Sequence, residues 1–154
     1  MNPRIDIKPV DPLLPEALAM IAELDAMMMA LYPAESAHLT APETLAQDGN
    51  RFYGATVDGV LRGCGGLLVT DQGYGEIKRI YVNPEARGLG LARTILEYLE
   101  TEARSLGLVS LKLETGIHQP EALGLFVVCG FTECGQFGDY PANDPNSVFY
   151  EKRI

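Results

Sequence analysis

Apolar and polar residues change period several times along this chain, and the changes divide it into elements. From Ile5 to Val10 they alternate, as in a half-buried strand. Pro12 and Pro15 mark a helix start, and Ala17, Ile21, Leu24, Met28 and Leu31 then share one face until Pro33. The Met27-Met28-Met29 cluster lies in that helix and is expected to fill core gaps. Ala41-Pro42-Glu43 opens a short second helix, with Thr40 as the expected N-cap. Phe52 to Val57 and Leu61 to Thr70 read as strands joined by Asp58-Gly59, a hairpin signal. Asp71-Gln72-Gly73 turns the chain into a further strand from Tyr74 to Val82. Ala92, Ile95, Leu96, Leu99, Ala103 and Leu106 recur at helical spacing until Gly107. A strand from Val109 to Glu114, a helix from Pro120 to Cys129, and strands near Thr132–Phe137 and Ser147–Lys152 complete the order β-α-α-β-β-β-α-β-α-β-β.

The 154 residues suit a single domain, 1–154, with its own core. The net charge of −9 argues against nucleic acid, whose binding rests on many Lys and Arg contacts to phosphate. It suits a cationic small substrate, and equally simple solubility. No apolar run has the length of a membrane span, and Met1-Asn2-Pro3-Arg4 has no signal-peptide core. Cys64, Cys129 and Cys134 are odd in number and lack metal-ligand spacing, which fits buried thiols in a reducing cytoplasm. The expectation is therefore a cytoplasmic protein with no metal, no membrane partner and no nucleic-acid partner.

Chemistry concentrates in Arg87-Gly88-Leu89-Gly90-Leu91-Ala92, between the strand ending at Val82 and the following amphipathic helix. The first N–H groups of a helix have no internal partner, and the helix dipole adds positive charge there. Gly88 and Gly90 let a ligand oxygen approach the backbone, and Arg87 adds a charged donor. The stretch thus reads as a pyrophosphate cradle. It lacks the Lys-Ser/Thr of a P-loop, and its glycines come too late in the chain for a dinucleotide fingerprint. What fits is Arg/Gln-x-x-Gly-x-Gly/Ala, matched by Arg87, Gly90 and Ala92. Asn83-Pro84-Glu85 precedes it, and Leu113-Glu114-Thr115-Gly116 leads to Gln119-Pro120-Glu121-Ala122 and then Gly130-Phe131. Together these resemble the coenzyme-A loop, second cleft strand and "GF" corner of the GNAT superfamily of N-acetyltransferases.

That resemblance implies an α/β (α+β) fold with a mixed, mostly antiparallel central sheet flanked by helices. The strands ending at Val82 and Glu114 would splay to hold the pantetheine arm. Acetyl-CoA would be the co-substrate, gripped by Arg87, Gly88, Leu89, Gly90, Leu91 and Ala92. The backbone of Ile80, Tyr81 and Val82 would pair with the pantetheine, and Val82 would polarise the thioester. Gln119 stands where relatives often have an Asn that touches the pantetheine. Glu76 occupies a position often used for the base, and alternation would put Glu76, Lys78 and Ile80 on one face. Relatives carry a proton-donating Tyr where this chain has Phe126, which leaves Phe126 a coenzyme contact and the acid role vacant. Tyr140 is the substitute candidate, with packing or substrate contact as its alternative. Tyr32, Glu35, Ser36 and His38 would meet the acceptor, or else cap helix ends and face solvent.

The reaction implied is direct transfer of acetyl from acetyl-CoA to a primary amine of a small molecule, in a ternary complex. Rival readings are a non-catalytic acyl-CoA sensor, kept open by Phe126, and a protein or peptide N-acetyltransferase. Either a monomer or a homodimer is compatible with the chain.

Overall fold

The computed structural model describes residues 2–154. Its elements follow the expected order: β1 (Ile5–Pro9), α1 (Pro15–Leu31), α2 (Pro42–Leu45), β2 (Arg51–Val57), β3 (Val60–Val69), β4 (Tyr74–Val82), α3 (Leu91–Ser105), β5 (Ser110–Gly116), α4 (Pro120–Val128), β6 (Thr132–Cys134) and β7 (Ser147–Arg153). They form one seven-stranded sheet in the order β1-β2-β3-β4-β5-β7-β6. Neighbours are antiparallel except β4 and β5. Among the described residues no helix is long and apolar enough to cross a membrane.

Each sheet face carries its own apolar cluster. On one, α3 sets Leu91, Ile95 and Leu99 against Leu67, Ile77, Leu111 and Leu113, with Phe126 of α4 alongside. On the other, α1 sets Ala17, Ile21 and Leu24 against Phe52, Cys64 and Tyr81. Fully burying one such Leu or Ile contributes about 1.5–3 kcal/mol. Burial also pushes the Cys64 thiol up to about 12, so it stays a neutral core group.

Two local expectations need correction. The residue before α2 that acts as N-cap is Ala41, not Thr40, because Pro42 takes the first helical position. The Thr40 carbonyl instead accepts from Arg79 at 3.0 Å. The strand expected over 132–137 stops at Cys134. Beyond it the Gln136 amide donates to the carbonyls of Phe137, Gly138 and Tyr140, which curls the chain into a loop.

Two irregularities in β4 create the functional space. Parallel pairing with β5 covers only Tyr74–Glu76 against Ser110–Lys112, after which the strands part. Against β3, the run Lys78–Tyr81 opposes only Cys64–Gly66, which is a β-bulge. Its centre is Arg79 at φ 59, a left-handed conformation costing a non-glycine residue about 1–2 kcal/mol. The buried guanidinium offsets that cost by binding the Thr40 carbonyl and pairing with Asp25 of α1.

Candidate active site

The bulge breaks the alternation expected for β4. Ile80 does not share a face with Glu76 and Lys78. It packs beside Gly65 with Ile95 and Leu99, on the α3 side. Arg79 turns toward α1, and Tyr81 joins the α1 cluster with its hydroxyl donating to Glu23. A cleft of about 600 Å³ opens where β4 and β5 part, and it draws lining from both sheet faces. It therefore has two halves.

The α3-side half is the glycine-bearing turn. Asn83 Oδ1 accepts from the Glu85 N–H at 2.9 Å and starts the turn that leads to Arg87. Gly88 (φ 86) and Gly90 (φ 72) adopt left-handed backbone, and a Cβ at either would meet nothing within 4 Å. Their need is conformational, and the space beside them is open for a ligand. Within α3 the Thr94 N–H donates to the Gly90 carbonyl at 3.0 Å, so the N–H groups ahead of it lie before the internal ladder begins. Arg87, Gly88, Gly90, Leu91 and Ala92 line the cleft, whereas Leu89 is exposed and does not. Ile80, Tyr81, Val82, Gln119 and Phe126 line it too. Phe126 is buried against Phe131, so a purely apolar ring stands where relatives are expected to have a phenol.

The α1-side half is made of side chains from distant parts of the chain. Leu24, Met27, Met28 and Leu31 come from α1, and Ala37, His38 and Leu39 from the segment after it. Lys78 and Arg79 come from β4 and Glu114 from β5. Met27 and Met28 are thus cleft wall as well as core filling, while Met29 is exposed.

Glu76 reaches this half only from behind. Its Oε2 accepts the Tyr140 hydroxyl and lies 3.6 Å from Lys78 Nζ, which in turn donates to the Tyr140 oxygen at 2.5 Å. Neither Glu76 nor Tyr140 lines the cleft. Burial, then the neighbouring Glu76 carboxylate, raises the Tyr140 phenol far above its ordinary value. A phenol so raised, and held by two partners, is a poor proton donor. Tyr140 also packs edge-on to His38, Phe137 and Phe149. Its position is that of a keystone joining the β6–β7 loop to β4. Lys78 is mostly buried, and desolvation lowers its ammonium against the upward pull of Glu76.

Two carboxylates line the cleft, the exposed Glu121 of α4 and the half-buried Glu114 of β5. Ser147 Oγ donates to Glu114 Oε2 at 2.7 Å, and among the described residues no Lys, Arg or His pairs with it. Burial raises its carboxyl, partly countered by Ser147 and by the charge of His38 and Lys78. The sequence alone assigns Glu114 no role, because in the alternating stretch Leu111-Lys112-Leu113-Glu114-Thr115 it reads like any residue on the more exposed face of a strand.

The expected acceptor residues divide. His38 lines the cleft, and its Nε2 lies 3.2 Å from Asp144 Oδ2. Ser36 is buried and donates to Asp144 Oδ1 at 3.0 Å while accepting from Asn146, so its hydroxyl is occupied. The Asn146 backbone N–H, with Ser36 and His38, holds the Asp144 carboxyl below its ordinary value. Tyr32 is buried outside the cleft, donating to Gln119 Oε1 at 3.2 Å and accepting the His118 N–H at 3.1 Å. It fixes the β5–α4 loop, and only a glycine at 116 leaves room for its ring. Glu35 is exposed and outside the cleft.

Residues 18–131 match the model of the acetyltransferase (GNAT) family. An IAA acetyltransferase of Azospirillum brasilense is 44% identical over 99% of both chains. A Klebsiella pneumoniae crystal structure named as an acyl-CoA N-acyltransferase superposes with a TM-score of 0.81 at 34% identity, covering 97% of each chain. An N-acetyltransferase of Thermoplasma acidophilum, solved with coenzyme A, has the same fold at a TM-score of 0.75 and 18% identity, over 98% of this chain and 99% of its own.

Proposed function

The chain belongs to the GNAT family of acetyltransferases, and we propose that it moves acetyl from acetyl-CoA to the primary amine of a small molecule. The observation that carries this reading is one cleft with an unladdered helix N-terminus on one sheet face and, on the other, a half-buried carboxylate that takes part in no ion pair.

In this reading Arg87 and the backbone from Gly88 to Ala92 bind the pyrophosphate. The parted edge of β4 from Ile80 to Val82 pairs with the pantetheine amides, and a backbone N–H there stabilises the oxyanion. Glu114 takes the proton of the acceptor ammonium, directly or through one water, and its raised carboxyl suits that task better than an ordinary one. The freed amine forms the C–N bond, the C–S bond breaks, and the second N–H proton passes to the departing sulfur or to water; a thiol with a reference pKa of about 8.5 leaves without a dedicated acid. Glu76 holds Tyr140 and Lys78 in place and is a positioning residue. The resemblance points to Glu76 as the base and leaves the acid role vacant, with Tyr140 a substitute candidate that could equally pack. The engagement of Glu76 and Tyr140 with each other behind the cleft supports positioning roles for both. Small-molecule transfer also accords with the IAA acetyltransferase relative.

The test is release of free thiol from acetyl-CoA by the purified protein with a panel of small amines and short peptides. Turnover on a small amine with none on peptides is expected. Bound acetyl-CoA without turnover on any amine contradicts the reading.

A further inference from the structure

The α1-side half of the cleft is far more apolar than a site for a polycation would be. Leu24, Met27, Met28, Leu31 and Leu39 form a continuous wall along α1 and the segment after it. Leu31 and Leu39 are each 39% exposed, so part of this wall faces solvent when the cleft is open. Polar groups opposite it are few, and most are already engaged. His38 is held by Asp144, Lys78 by Tyr140 and Glu76, and Arg79 by Asp25 and the Thr40 carbonyl. Glu114 is the carboxylate that β5 supplies to this half, and its partner is the neutral Ser147 hydroxyl. Glu121, the other acid lining the cleft, is exposed on α4, which packs on the α3 side.

We infer that the acceptor is a primary amine with a single cationic group on an apolar, aliphatic or aromatic body. This deepens the acetyl-transfer reading above and rests on it. One carboxylate accommodates one ammonium. A second ammonium on the same molecule would lie against Lys78, Arg79 and methionine side chains, with nothing to replace its lost hydration. The body of the acceptor gains where a polyamine or aminoglycoside loses. Each methylene removed from water against this wall is worth roughly a fourfold gain in binding. Met27 and Met28, unbranched and adaptable, suit a body of variable shape.

The experiment measures kcat/KM at saturating acetyl-CoA for ethylamine, butylamine, hexylamine and 2-phenylethylamine, with 1,4-diaminobutane and spermidine beside them. The simple alkylamines have nearly equal basicity, so their series reads the body alone. The expected result is a rise of about fourfold per added methylene up to the depth of the cleft, with 1,4-diaminobutane at least about tenfold below butylamine. Leu39→Asp should lower kcat/KM for hexylamine about tenfold and narrow its lead over 1,4-diaminobutane. Its acetyl-CoA binding checks that it is folded, and Met28→Gln serves if it is not. A flat alkylamine series, or preference for the diamine, overturns this inference and leaves acetyl transfer standing. Bound acetyl-CoA with no turnover on any amine overturns the acetyl-transfer reading, and the inference falls with it.

Discussion

The two halves of the cleft are built from different materials. On the α3 side the atoms proposed to hold the coenzyme are mostly backbone, with the Arg87 side chain beside them, in one contiguous stretch ending at Ala92 whose geometry two left-handed glycines set. On the α1 side the atoms belong to side chains, and the bonds that position them span long sequence separations. Ser36 to Asp144 crosses 108 residues, Tyr140 to Glu76 crosses 64, and Arg79 to Asp25 crosses 54. A backbone cradle recognises a group common to every coenzyme-A ester and tolerates side-chain drift. A side-chain chamber can be re-specified one residue at a time, which suits the half proposed to take the acceptor.

The comparison breaks most severely at Arg79, the residue that joins the halves. Arg79→Ala removes the partner of Asp25 and the donor to Thr40 while keeping the strained backbone. A loss of about 3 kcal/mol is expected, which lowers Tm by roughly 6–12 °C. Both acetyl-CoA and acceptor binding should weaken together, and thermal melting with calorimetry checks it. Less severe is Gly90→Val, which puts a β-branched residue at φ 72 beside the open cradle. Acetyl-CoA affinity should fall about tenfold or more, a cost of roughly 1.4 kcal/mol, while KM for the amine stays within about twofold. The smallest effect sharpens the other half. Tyr140→Phe leaves Glu76 and Lys78 facing each other and should cost about 1 kcal/mol of stability. Its kcat should fall less than tenfold. A loss of a hundredfold in kcat would restore Tyr140 as the acid.

The same contrast explains what was legible in the sequence. Strand and helix periods, Asp58-Gly59 and the Arg87–Ala92 turn are local signals; the element order followed from them, and the proposal for the coenzyme half rests on the last. The acceptor half depends on contacts that no local period encodes. Tyr32, Ser36 and Glu35 sat in a promising polar connector, yet two of them serve the scaffold and the third faces solvent. The bulge at Arg79 was missed because strict alternation fits the sequence of β4 well. Its trace lay in the neighbouring strand, where Gly63, Gly65 and Gly66 give β4 room to deform. Met27 and Met28 look like core residues because they are partly core, and only the parting of β4 from β5 makes them cleft wall.

Stability and catalysis should oppose each other at Glu114. Its raised carboxyl means that the folded chain keeps a proton the unfolded chain has already lost. Stability therefore declines as pH rises through that raised value, and a neutral amide removes the decline. The most direct test of the account compares Glu114→Gln with Glu76→Gln in kcat/KM against pH, with Tm measured alongside. The account predicts that Glu114→Gln loses about a hundredfold or more in kcat, loses the acid limb of the profile, binds acetyl-CoA normally and melts no lower than the unaltered protein at neutral pH. Glu76→Gln should keep the acid limb and lose about tenfold or less. The reverse assignment, with the acid limb following Glu76, would contradict it.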